Sequence, residues 1–229
     1  MDQKQQLEEL FDKWRCKPNH AGQPFITDGI VNLPKWTKQN PRVLFFLKEA
    51  YTDNPKGYDL TAALDSEGAD FAKKNSPIWA RVAVWTQAIY DSTELPPLPY
   101  DEAKIKSQAD DNIRSIAVIN IKKSNGQKSS NDTDLKEFLA NDKDQLTEEL
   151  KIINPDVILC GGTFHLLQKY GMFPDANKVT RNDYLWNDKL IISYWHPSGR
   201  GIVSNNEVNY YAIREICRAA HNQFKITKW

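Results

Sequence analysis

Cysteine is scarce in this chain. Cys16, Cys160 and Cys217 are odd in number, widely separated and free of any Cys-x-x-Cys pair, which argues against a disulfide framework and against a zinc or iron–sulfur site. A reducing, cytoplasmic location is expected. Long apolar runs are also missing, since none approaches the roughly 20 residues of a membrane-spanning helix. Met1-Asp2-Gln3-Lys4 opens a polar amphipathic stretch without the apolar core of a signal peptide, so neither secretion nor a membrane partner is expected. No charge sign dominates, with 30 basic residues against 30 acidic ones, and any attraction to nucleic acid has to come from local clustering. The glycine signatures of dinucleotide folds, P-loops and serine-hydrolase elbows are absent, which removes those enzyme classes.

What is present suits a globular α/β protein. The 229 residues are 40% apolar and 11% aromatic, enough for one domain with a sizeable core. Residues Gln3 to Lys13 carry Leu7, Leu10 and Phe11 at helical spacing, and short extended pieces such as Ile30-Val31-Asn32-Leu33 follow; together they read as an N-terminal cap over residues 1–40. In the core, residues 41–229, apolar strand runs appear at Val43 to Leu47, Ile116 to Ile121, Val157 to Leu159 and Leu190 to Tyr194. Helical patterns lie between and after them: Ile78 to Ile89, Asp101 to Asn112, Leu135 to Leu150 with a break expected near Asn141, a turn at Gly161-Gly162-Thr163 into a short helix, and Asn205 to Phe224. Thr52 to Asn75 reads as a polar loop. This alternation predicts a three-layer α/β/α sandwich around a short, mainly parallel four-stranded sheet.

Three of the strands end in polar groups. Val43 to Leu47 runs into Lys48-Glu49-Ala50-Tyr51, Ile116 to Ile119 into Asn120, and Leu190 to Ile192 leads through Tyr194-Trp195 into His196-Pro197-Ser198-Gly199-Arg200. Ligands of open parallel sheets bind beyond the carboxyl ends of the strands, so an acid, an amide and an imidazole are expected around one crevice. Each residue has a plainer reading alone. A histidine before proline is more often a loop residue bonded to backbone, asparagine commonly bridges turns, and Lys122-Lys123 is usually a solvated strand end. Trp79, Trp85 and Trp195 read as core aromatics. The joint placement after three separate strands favours function.

In motif order, the chain resembles the uracil-DNA glycosylase superfamily over roughly Arg42 to Arg200. The resemblance rests on the acid after the first strand, Ile119-Asn120 after another, the strand opening Pro155-Asp156-Val157-Ile158, and His196-Pro197-Ser198 after the last. It implies a DNA-repair glycosylase that flips uracil or a related damaged base out of DNA and hydrolyses its N-glycosidic bond without a cofactor. Glu49 would then hold or activate the water, Asn120 would read the base edge, and His196 would face the base oxygen that gains charge. Two family patterns fit the first motif, and one of them makes Tyr51 a steric screen for the base. Both carry a glycine where this chain has Leu47 or Lys48, and a proline where it has Ala50 or Tyr51. Tyr58, Phe71 and Trp79 are the aromatics on offer for stacking. Lys122, Lys123 and Lys128 beside Asn120, with Ser198 and Arg200 across the mouth, would meet phosphates, and four cations doing so give a logarithmic salt slope of about −3 to −4. Some members hold a metal cluster on cysteines that this chain lacks, so no metal is expected. The alternatives are a glycosylase-like module that binds a modified base, nucleotide or protein without cutting, and a hydrolase of small nucleosides or nucleotides.

Overall fold

The structure, a computed structural model, describes residues 1–67, 77–127 and 130–224. Its centre is strand β2, Val43–Glu49, whose continuous apolar run is buried on both faces, as a strand covered by helices on either side requires. β2 pairs in parallel with β3, Ala117–Lys122, on one side and with β4, Val157–Gly161, on the other; β4 pairs in parallel with β7, Lys189–Tyr194. Three short strands extend these four in antiparallel fashion: β1, Gly29–Ile30, beside β3, and β6, Asp183–Trp186, beside β7, with β5, Asn177–Lys178, outermost. The sheet is therefore seven-stranded and mixed, in the order β1-β3-β2-β4-β7-β6-β5, and not the four-stranded one expected.

The additions have local causes. β6 returns to β7 through Asn187-Asp188, both with positive φ (47° and 59°), as the two-residue hairpin turns favoured by strand twist require. β1 shows that the N-terminal segment does more than cap the sheet, because it supplies an edge strand and part of the core.

Helices cover both faces. On one side α1, Gln3–Trp14, and α6, Asp132–Ile153, bury Leu7, Phe11, Trp14, Leu135, Leu139 and Leu146 with Leu44, Phe46 and Ile119 of the sheet; α7, Phe164–Lys169, adds Phe164 and Leu167. On the other, α4, Pro77–Tyr90, α5, Glu102–Arg114, and α8, Asn206–Phe224, cover Val43, Phe45, Val118, Leu159 and Ile192. Two further helices are short: α2, Leu33–Trp36, where extended chain was expected, and α3, Leu60–Glu67, inside the expected Thr52–Asn75 loop. Each follows a side-chain cap, Asn32 on the Lys35 amide and Asp59 on the Thr61 and Ala62 amides, which satisfies otherwise unpaired amide donors. α6 runs unbroken through Asn141 because its apolar stripe stays on the sheet, and it stops at Asn154 in the left-handed region. Among the described residues, no helix is long and apolar enough to cross a membrane.

Candidate active site at the strand ends

Side chains alternate between the two faces of a strand, and that alternation brings the expected residues together. Glu49 lies two residues beyond core-facing Leu47, Asn120 two beyond Val118, and His196 four beyond Ile192. Glu49 and Asn120 therefore leave the sheet on the α4 side, toward the carboxyl ends of β2 and β3, and His196 follows in the loop after β7. They line one cavity of about 580 Å³, within the size range of small-ligand sites. Tyr51, Tyr58, Leu60 and Trp79 complete its walls.

Glu49 is the most unusual of the three. Its side chain is 3% exposed, its carboxylate sits 4.0 Å from the Lys122 ammonium, and no described residue donates a hydrogen bond to either oxygen. Buried carboxylates are normally hydrogen-bonded, so this one is ready to accept from a water or a ligand that enters the cavity. Its position depends on the chain leaving β3. Asn125 bonds both backbone groups of Thr52, at 2.8 and 2.7 Å, and the Gly126 amide donates to Ala50 O at 2.7 Å. A Cβ on Gly126 would lie 2.7 Å from both Ala50 O and Glu49 Cγ, so only glycine lets the two segments close.

Asn120 is buried, and its orientation is dictated from behind. Asp28 Oδ2 accepts both the Asn120 backbone amide at 2.8 Å and its side-chain Nδ2 at 3.1 Å. His196 is held through its loop. Ser198 N–H donates to His196 Nδ1 at 3.2 Å and the Ser198 hydroxyl lies 2.7 Å from the same atom, which makes Nδ1 the acceptor and leaves the proton on Nε2. Burial, reinforced by the Lys48 ammonium, pushes the imidazole down to about 4, so the ring is neutral at physiological pH. The Arg81 guanidinium donates to the carbonyls of Pro197 and Gly199, fixing the loop on α4. Gly161 at the end of β4 admits it, since a Cβ there would come within 3.2 Å of Pro197 Cδ and 2.7 Å of a Leu47 methyl.

The expected aromatics and cations divide. Tyr58 lines the cavity half-buried, and burial followed by the Asp28 charge pushes its phenol up to about 12. Tyr51 is 44% exposed at the rim, its hydroxyl bonded to Asp53. Ser198 and Arg200 are exposed on the loop after β7. Phe71 and Lys128 lie outside the described residues.

Lys122 and Lys123 correct the expectation of a phosphate-binding pair. Lys122 is buried against Asp134 at 2.6 Å and over the Phe138 ring, while Lys123 is wholly buried between Asp28 and Glu149. Both ammonium groups are consumed by internal carboxylates that helix α6 and the β1 edge bring inward. Trp195 also departs from expectation: it is 59% exposed rather than core, whereas Trp79 and Trp85 are buried.

Sequence reasoning missed Asp28, Arg81, Asn125 and Gly126. Asn125-Gly126 carries a turn signature that fell inside an expected flexible loop; Asp28 and Arg81 act on partners 92 and about 117 positions away and leave no local trace. Comparison with family models and with curated proteins finds no match to this chain.

Proposed function

We propose that this protein is a DNA glycosylase that hydrolyses the N-glycosidic bond of uracil or a related damaged base. One observation carries the reading: a hydrogen-bond-poor buried carboxylate, an amide and a neutral imidazole converge on a cavity of base-accommodating size with aromatic walls. Departure of the base places negative charge on its carbonyl oxygen and positive charge on the sugar. His196 Nε2–H donates to that oxygen, and a fixed donor at a developing oxyanion contributes roughly 10²- to 10³-fold in rate. Glu49 orients the water and takes its proton as the water oxygen bonds the anomeric carbon and the base leaves with the glycosidic electron pair. Tyr58 or Trp79 supplies a stacking wall for a base taken out of the helix.

The binding-only alternative is favoured by the inward orientation of Lys122 and Lys123, which removes two cations from the DNA-facing rim. Incubation with single- and double-stranded oligonucleotides carrying uracil, followed by alkali, decides between the two. Strand scission at uracil is expected, and Glu49→Gln and His196→Ala should each slow single-turnover excision by at least about 10²-fold while leaving the fold intact. Binding without scission would establish the module instead.

A further inference from the structure

Asp28 is a buried carboxylate set behind Asn120, and it shares the Lys123 ammonium with the neighbouring Glu149 carboxyl. It accepts the Asn120 backbone amide, Asn120 Nδ2 and the Lys123 ammonium, and its side chain is 0% exposed. Toward these three donors, one of them cationic, the Asp28 carboxylate oxygens are the acceptors. The side-chain amide of Asn120 therefore cannot rotate by half a turn, because that would set its carbonyl oxygen against the carboxylate. Nδ2 is held toward Asp28, and Oδ1 is the end turned away from it in a residue that lines the cavity.

We propose that Asp28 is the positioning residue that sets base specificity, by locking the Asn120 amide so that its carbonyl Oδ1 faces the ligand. This rests on the base-binding reading above and names the ligand class: a base with a ring N–H beside a carbonyl, as in uracil. Cytosine presents a lone pair where that N–H stands and is repelled by Oδ1; 3-methyluracil carries a methyl there and is excluded. A locked acceptor thus rejects both, whereas a freely rotating amide would suit uracil and cytosine alike.

The lock can be released without stranding a buried charge. Burial holds the Glu149 carboxyl well above its usual range, so removing Asp28 and Lys123 together leaves Glu149 neutral. Asp28→Ala with Lys123→Met opens space for water, which donates as readily as it accepts, and frees the amide. Asp28→Asn with Lys123→Met keeps a carbonyl acceptor for Asn120 and is the rescue variant. Binding of free uracil, cytosine and 3-methyluracil is measured by ligand-observed NMR, alongside hydrogen exchange of the Asn120 side-chain amide in ¹⁵N-labelled protein and thermal melting to confirm folding.

The intact protein should prefer uracil to the other two by at least about tenfold, the ratio that one unpaired buried group imposes. The alanine double variant should fall to within about twofold between uracil and cytosine and lose protection at Asn120, and the asparagine double variant should retain both. Undiminished discrimination in a folded alanine variant would overturn the role of Asp28. No preference among the three bases in the intact protein would overturn the base-binding reading itself, whatever the exchange data show.

Discussion

At the scale of single residues, the site depends on an imidazole held in an uncommon state. His196 is kept neutral by burial and by Lys48 at about 4, against 6.5 for a free imidazole. Between these values the unfolded chain takes up the proton and the folded one does not. Stability should therefore be insensitive to this group above about pH 6.5 and fall as pH drops from 6.5 toward 4. The proposed excision, for which His196 acts as a neutral donor, should persist at pH 5, with no acid limb near 6.5. A histidine Cε1 titration by NMR checks the cause: Lys48→Met should move the His196 midpoint upward, and an unmoved midpoint would show that Lys48 plays no part. The same scale separates what was legible from what was not. Glu49, Asn120 and His196 could be read because each follows its own apolar run, and strand alternation dictates the face of the first two. The chemical state of His196 could not, since its neutrality depends on burial of the loop after β7 and on Lys48 at the end of β2.

At the scale of elements, the decisive join is the segment after β3 lying against the end of β2. Asn125 replaces two backbone bonds that a longer strand would have made to Thr52, and Gly126 allows contact with the Glu49 stem. Asn125→Ala should cost about 1–3 kcal/mol in denaturant unfolding, the penalty for two backbone groups left without their partner. Gly126→Ala should displace Glu49 and slow the proposed excision, and because the added Cβ meets the Ala50 carbonyl oxygen at 2.7 Å it should also lower the unfolding midpoint; undiminished excision in a folded variant would reduce Gly126 to a packing residue. Strand and helix identities were readable here from periodicity and caps. The antiparallel additions β1, β5 and β6 were not, because two- to four-residue strands carry too little pattern, and only the Asn187-Asp188 turn marked the hairpin. α3 escaped notice for a related reason, its two turns being embedded in a polar segment.

At the scale of the whole molecule, two cations expected at the surface belong to a buried charge network. Lys123 sits between Asp28 and Glu149 with no exposure, and beside it His20 joins Asp142 at 2.8 Å and Ser124 at 2.6 Å. This network ties the N-terminal segment to α6 and to the chain leaving β3. Lys123→Ala should destabilise the protein by roughly 3–5 kcal/mol at neutral pH, the usual consequence of stranding buried carboxylates. Part of that loss should return as pH falls and the Glu149 carboxyl, held high by burial, protonates, a trend that urea titrations at several pH values would read. The salt slope of the proposed DNA binding should be unaffected by this change and shallower than the −3 to −4 that four phosphate-facing cations would give. A slope that flattens on removing Lys123 would contradict its burial.

The order of amino acids determined by itself the alternation of apolar strands and amphipathic helices, the parallel centre of the sheet and the trio at its strand ends, because period, caps and strand parity are local properties of the chain. Only the tertiary structure decided where the lysines point, how many strands the sheet has, and which distant groups orient Asn120 and His196. Those outcomes depend on pairings across as many as about 117 residues. A charged side chain goes inward or outward according to whether a partner of opposite sign is folded against it, and no window along the sequence contains both partners.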